Sequence, residues 1–477
     1  MHLPTRLMNL RLRPRAQRLT LALCLLAAAP ALRAQGPTGA PPPPPSAPRL
    51  VATLEGYEGP SRFGGRPALA EFSPDGRLLA LSGEGHAVKL YEAATGKLLL
   101  TLKGEKKEWG FNGFAFAPDP RVGVTRDIPD RSVSLWDLTT GKPLLKLAGR
   151  ERDIETKLKA AQNPSLNFVH VPLSPDGRVV LSEREDDIVV AWDAATGKEL
   201  FRLEHRTETN AAKDVLGMFL FAQPHPLMMS AAFSHDGARV VTANGDTRPK
   251  LWDASTGKLV GTLANEPYDN VYAAAFLPAA GAVITASFEG HVKLWDASTG
   301  AHRATLVGRK AADYFFAFQQ DGGPVAYSPD GRLVAARAAD ESGKKDEIGI
   351  WDAADGKLSA TVEKNKSKTL AFSPDGRTLA TGGDERYSAR FWDAATGKLK
   401  VALAKTEGGV RTFTYSPDGR LFVTTSDKGV RLWDAETGAP LTTLDKARYP
   451  VRFSPDGRLL VTGGTDKTAY LYELPVK

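Results

Sequence analysis

From Leu50 onward, short apolar runs alternate with turn-forming residues. The stretch from Thr369, TLAFSPDGRTLATGG, shows the unit: an apolar run through Phe372, a break at Ser373, Pro374, Asp375 and Gly376, then a second run closed by glycine. Alternating or continuous apolar residues over four to six positions, rich in β-branched and aromatic types and bounded by glycine, predict short antiparallel strands. The Ser-Pro-Asp-Gly turn suits a type I geometry, with the Asp side chain bonding nearby backbone. It opens at Ser73, Ser174, Ser328, Ser373, Ser416 and Ser454, with variants at Ala117 and Ser234 and a degenerate form at Leu277.

A second marker follows each of these nine turns. It reads Trp-Asp at Trp136, Trp192, Trp252, Trp295, Trp351, Trp392 and Trp433, and Tyr-Glu at Tyr91 and Tyr472. After most of them come a Thr-Gly turn and one more strand, as in KLLLTL from Lys97. The heptapeptide WDAATGK even occurs twice verbatim, at 192–198 and 392–398. Each unit is thus predicted to be a four-stranded meander, and the repetition makes one repeat architecture out of a length that would otherwise suggest several domains.

These turns and third-strand endings resemble the WD40 repeat family over 50–477. The resemblance implies an all-β fold, a single β-propeller of about nine four-stranded antiparallel blades, with eight as the alternative if a degenerate unit forms no blade. It also implies that the repeated aromatic packs between neighbouring blades and that every outer-to-inner connection emerges on one face. An acid six positions before the aromatic is kept as Asp130, Asp186, Asp246, Glu289, Asp427 and Asp466. The family's Gly-His opening is not, since the corresponding places read LKGEKK, LAGRER, LANEPY and LDKARY. Histidine-centred bonding between strands therefore does not carry over. RLVATLEG from Arg49 aligns with KLLLTLKG from Lys97, whereas LYELPVK ends after a third strand. The first strand is expected to complete the last blade, leaving no unpaired edge.

The N-terminus changes the charge. A basic region (Arg6, Arg11, Arg13, Arg15, Arg18), an apolar run from Leu19 to Ala29 and small residues to Ala34 mark 1–34 as a signal peptide, too short in its apolar run to span a membrane, with Met8 an alternative start. Cys24 follows Leu23 inside the apolar run, which excludes a lipid anchor. The whole chain carries +7, but removing six arginines and no acid leaves 56 basic against 55 acidic residues. Global charge then gives no ground for a nucleic-acid partner. The sole cysteine leaves as well, so the exported protein has no disulfide. Residues 35–49, with prolines at 41–45, read as a semi-rigid spacer or, alternatively, a ligand for a proline-binding domain. The expected location is the periplasm or the exterior.

Candidate chemistry lies in departures from the repeat. Three long connections run from about Ala148 to Phe168, Glu204 to Met228 and Arg303 to Gly323. The first carries a short helical pattern with Asp153, Lys157, Glu155 and Lys159 as spaced pairs. The second holds every methionine beyond the first 34 residues, Met218, Met228 and Met229, with Phe219, Phe221, His205 and His225. Such residues suit an adaptable apolar contact surface, or equally a cap over the segment's own blades. A copper site of Met and His lacks tight ligand spacing. The third contains Tyr314 and Phe315 in DYFFAF. Trp109, beside lysines in GEKKEWGFNG, either meets a ligand or packs on its own loop. Candidate partner-binding residues are Trp109, Met218, Phe219, Phe221, Met228, Met229, Tyr314 and Phe315.

Catalytic motifs are lacking: no cysteine nucleophile, G-x-S-x-G, phosphate loop or H-E-x-x-H occurs. His170 falls on an inner strand and reads as structural. The inner strands ALAEF, GFAFA, MSAAF, YAAAF and TLAF offer one acid, Glu71, too poor a set for a metal cage. The expectation is a non-catalytic, monomeric binding scaffold of the cell envelope or exterior, engaging a protein or envelope component, with no cofactor, metal or membrane span. The alternative is a propeller enzyme of quinoprotein or lactonase type with a site at the channel mouth.

Overall fold

The repeated heptapeptide is a capped turn. The Thr196 N–H and hydroxyl both donate to Asp193 Oδ1 at 2.7 Å, and the Gly197 N–H donates to the Asp193 carbonyl at 2.8 Å. Gly197 has φ of +69°, a left-handed conformation that a side chain opposes. The second copy repeats this with Thr396, Asp393 and Gly397, at φ +68°. The inner turn is built on the same logic. The Ser73 hydroxyl donates to Asp75 Oδ1 at 2.6 Å and accepts the Leu78 N–H at 2.9 Å, tying both strand ends to one side chain.

In the computed structural model of the chain, the residues described are 47–475 apart from 56–69, 83–86, 104–110, 128–131, 148–172, 184–187, 206–229, 244–247, 265–268, 270, 279, 288–289, 308–324, 340–345, 363–366, 368, 383–386, 407–408 and 465–467. They form nine antiparallel sheets and, among them, no helix. Blades 1 to 9 span 70–103, 111–147, 179–204, 230–262, 271–307, 325–362, 370–404, 412–444 and 447–473. Eight sheets have four strands. Blade 3 shows three, with a single bridge from Leu173 to Val180 where its inner strand begins. Arg303, placed in a connection by the sequence pattern, lies inside the outer strand His302–Val307, where its guanidinium bonds Asp296 and the carbonyls of Ala280 and Gly281.

The ring closes as expected. Arg49–Glu55 pairs with Thr468–Glu473 as the outer strand of blade 9, setting Thr53 opposite Tyr470 and Leu54 opposite Ala469. Arg49 adds an exposed ion pair to Glu473 at 2.6 Å.

The core is a set of nine apolar seams between blades, with no single centre. Trp136 of blade 2 packs with Ala80, Val88, Leu90 and Leu102 of blade 1, and Trp433 of blade 8 with Phe391 and Leu403 of blade 7. At the closure, Tyr91 of blade 1 meets Leu54, Val461 and Leu471 of blade 9, while Tyr472 packs on Val423, Val430 and Leu432 of blade 8. The large aromatic that ends each third strand gives its blade a face that the neighbouring blade covers, so no blade is self-sufficient. The two tyrosines flank the seam, as their positions in the repeat imply.

Candidate functional site

The repeated tryptophans are held by hydroxyls as well as by packing. In six blades the indole N–H donates to a Thr or Ser on the second strand, at 2.7 Å for Trp192 to Ser182 and 3.0 Å for Trp392 to Thr381, the extremes. Blade 6 has Ala336 at that place, and Gly349 lies so close under Trp351 that a Cβ there would come within 2.4 Å of the ring. In blade 4 the chain of bonds is longer. His205, directly after the outer strand of blade 3, brings Nδ1 to 2.8 Å from Thr242 Oγ1, which also accepts from Trp252 at 2.9 Å. Among the described residues, histidine-centred bonding of this kind is therefore present in blade 4, contrary to the expectation from the missing Gly-His pairs. The histidine arrives as LEHRT, without the glycine. Its fully buried position makes it structural.

Blade 5 carries a buried ion pair instead. Asp269, 2% exposed, precedes the inner strand; Lys293 Nζ donates to its Oδ2 at 2.8 Å. His291 Nδ1 stands 2.8 Å from Oδ1, close in distance although its angles do not make a regular hydrogen bond. Burial alone would raise the Asp269 pKa, but Lys293, Ser287 and His291 outweigh it and hold the carboxyl below its ordinary value. A buried carboxylate paired in this way is a packing element, costly to break.

In inner strands such as Ala70–Phe72 and Leu370–Phe372, buried residues flank a half-buried one. The half-buried place two positions before the turn's opening residue is Ala115, Ala232, Ala275, Ala326, Ala371 and Thr414 in six blades. In the adjoining blades 1 and 9 it is Glu71 and Arg452. Burial raises the Glu71 pKa to about 7, against the opposing pull of the Phe116 N–H from blade 2 and the charge of Arg452. Sequence reading found Glu71 but passed over Arg452, although VRFSPDG aligns with AEFSPDG without a gap. A quinone or calcium site of the propeller-enzyme kind needs several convergent acids, and the described channel residues do not form such a set. Among the described residues no three His, Cys, Asp or Glu side chains gather as a metal site.

The residues singled out for partner binding, Trp109, Met218, Phe219, Phe221, Met228, Met229, Tyr314 and Phe315, lie outside the described residues, as do His170, His225 and the helical pattern of the first connection. All eight exposed large apolar side chains among the described residues are leucines, at or near the starts of outer strands, from Leu50 to Leu399.

The repeated sheets have counterparts among known proteins. A family model described as outer membrane protein assembly factor BamB (PQQ_2) matches residues 84–440, well over half of the chain. The chain belongs to that family. The WD domain, G-beta repeat, model matches 441–473, so the last blade carries the WD40 signature in its own right. Together the two matches run from the third strand of blade 1 to the end of the last third strand. No curated protein matches. The crystal structure of the computationally designed Ika8 protein aligns with a TM-score of 0.53 at 18% identity, covering 89% of this chain and all of that one, a likeness of fold alone. Family membership is compatible with a binding scaffold or a propeller enzyme. No helix among the described residues is long and apolar enough to cross a membrane.

Proposed function

We propose that this member of the BamB-described family is a non-catalytic binding scaffold of the cell envelope, exported by the signal peptide at 1–34, set off by the proline-rich spacer at 35–49, and acting as a monomer. One observation carries the reading: the recurrent residues of the repeat are consumed by structure. The aromatics fill seams, the serines, threonines and aspartates close turns, and His205 and Asp269 brace strands. Recognition is then left to the departures from the repeat, the long connections at 148–168, 204–228 and 308–323, and loops on a rigid scaffold are the usual seat of binding. The apolar and aromatic residues in and next to these connections, Met218, Phe219, Phe221, Met228, Met229, Tyr314 and Phe315, with Trp109 of the shorter loop GEKKEWGFNG, are the proposed anchors for a protein partner. The family's description as an outer membrane assembly factor supports an envelope setting.

Lysines tag the two faces, which makes the test direct. Lys106, Lys157, Lys213 and Lys310 belong to connections, whereas Lys97, Lys198 and Lys398 belong to the capped turns. Cross-linking of the chain to the protein it captures from envelope extract is expected at the first set. Cross-links confined to the second set would refute the assignment.

A further inference from the structure

The exposed leucines of the outer strands share one structural cause. In every blade the outer strand meets its third strand through a bulge at the repeated aromatic, with two steps along the outer strand answering one along the third. Leu98 pairs with Tyr91 and Leu100 with Leu90, which makes Leu99 the extra residue; Leu144 and Leu200 are the extra residues of blades 2 and 3. A bulge bends its strand and re-aims side chains. Each exposed leucine among the described residues is the extra residue or the one before it. Five of them, Leu50, Leu98, Leu99, Leu144 and Leu200, fall in four consecutive blades, 9, 1, 2 and 3, and are 45–56% exposed. The turns that carry them are packed on one another. A Cβ on Gly141 of blade 2 would lie 3.7 Å from Leu100 of blade 1, and on Gly96 or Gly197 it would collide with Ala52 of blade 9 or Leu145 of blade 2. The five leucines therefore form one strip along the rim on the turn side.

We propose that this strip docks the ring on an anionic lipid surface, with the leucines at the headgroup boundary and the basic residues beside them over lipid phosphates. Charge identifies the occupant. The outer strands of these blades with the turn residue before them, 49–55, 97–103, 142–147 and 198–204, hold seven basic residues and three acidic ones. Lys97, Lys142 and Lys198 stand one or two positions before a strip leucine and are exposed. The acids close to them are engaged locally: Glu92, Asp137 and Asp193 accept the hydroxyls of Thr95, Thr139 and Thr196, Glu473 pairs with Arg49, and Glu199 with Arg202. Apolar side chains flanked by lysines bind an anionic bilayer surface through both burial and charge. A second copy of the chain would bring the same basic strands against these, and like charges oppose that pairing. Each outer strand runs from its turn towards the next connection, so the docked rim and the connections lie at opposite faces, and the inference stands whether or not the connections take a protein.

Co-sedimentation with vesicles tests this on the chain from residue 35, which keeps every strand of the ring and lacks the apolar run at 19–29 that would itself enter lipid. Binding to vesicles of phosphatidylglycerol and phosphatidylcholine in equal parts is expected to saturate, to weaken with added salt, and to exceed binding to phosphatidylcholine alone by about tenfold or more. The triple variant Leu98→Ser, Leu99→Ser, Leu144→Ser should lose about tenfold or more with an unchanged melting temperature, because its side chains are exposed. The same change outside the strip, Leu259→Ser, Leu358→Ser, Leu399→Ser, should bind like the parent. Lys97→Gln, Lys142→Gln, Lys198→Gln should lower binding to the anionic vesicles, and it keeps the test open if the leucine variant does not fold. Absence of binding to the anionic vesicles, equal binding to the neutral ones, a folded strip variant or a lysine variant that binds like the parent, or an equal loss in the outside variant would each overturn the proposal. Light scattering without lipid should give a monomer; a dimer that the strip variant dissociates would assign the leucines to a second copy and overturn it as well.

Discussion

His205 Nδ1 lies 2.8 Å from Thr242 Oγ1, a bond that runs from the end of one blade into the second strand of the next. Since Trp252 donates to the same oxygen, one hydroxyl serves two buried rings. Thr242→Val keeps the shape and removes the oxygen. Leaving buried polar groups without this partner costs about 1–3 kcal/mol for each. Urea unfolding should show a larger loss for Thr242→Val than for Thr285→Val, whose oxygen serves the Trp295 indole at 2.8 Å. Equal losses would mean that His205 contributes nothing through this bond.

Closure of the ring rests on few side chains. In the first strand Leu54 is 1% exposed, whereas Leu50 is 48% exposed, so of these two leucines Leu54 carries the burial. Leu54→Ala should cost about 2–5 kcal/mol, and Leu50→Ala within ~0.5 kcal/mol of nothing. Deleting 49–55 exposes the edge of Thr468–Glu473 and should produce aggregation or a much lower melting temperature. A deletion variant as stable and monomeric as the parent would remove the role given to this strand.

Glu71 gives stability an unusual slope near neutrality. Its carboxyl, at about 4.5 in the unfolded chain, titrates near 7 in the fold, so the folded state holds the extra proton between these values. Its contribution is full below about 4.5 and is lost as pH rises through 7, on the order of 3 kcal/mol at most. Melting curves between pH 5 and 8.5 should show this decline in the parent and a flatter profile in Glu71→Gln.

Asp269 has the opposite sign. Its pKa is depressed, so its contribution is present above the ordinary carboxylate value and disappears as pH falls. The turn aspartates reinforce the trend, Asp137 and Asp253 being drawn down to about 2 by the hydroxyls of Thr139 and Ser255. Asp269→Asn, which leaves Lys293 buried without its counter-charge, should destabilise by about 3–5 kcal/mol at pH 7 and by less at pH 3. Denaturant midpoints at the two pH values provide the check.

The ring was legible because its information is local and repeated. Ser73, Asp75 and Gly76, or Asp193, Thr196 and Gly197, determine a turn within a few residues of each other, and nine copies expose the rule. Long-range partners were harder to read. His205 reaches Thr242 across 37 positions, and it arrives without the glycine that usually accompanies it. Asp269 reaches Lys293 across 24 positions. Arg452 becomes noticeable only once its blade is set beside blade 1, because an exception is visible only against the aligned repeat. The apolar anchors in the connections obey no repeat, so neither turn chemistry nor blade alignment assigns them a contact.

The proposed function puts recognition in the connections and leaves the channel wall outside the partner's site. Capture of an envelope protein by immobilised chain separates the two most directly, using the parent, the triple variant Trp109→Ala, Met218→Ala, Phe219→Ala, and the channel variant Glu71→Gln, Arg452→Gln, each with its melting temperature. With anchors worth ~2 kcal/mol or more apiece, the triple variant should lose capture by orders of magnitude at near-normal melting temperature while the channel variant captures as the parent does. Capture lost in the channel variant and retained in the triple variant would place recognition on the channel wall and not in the connections.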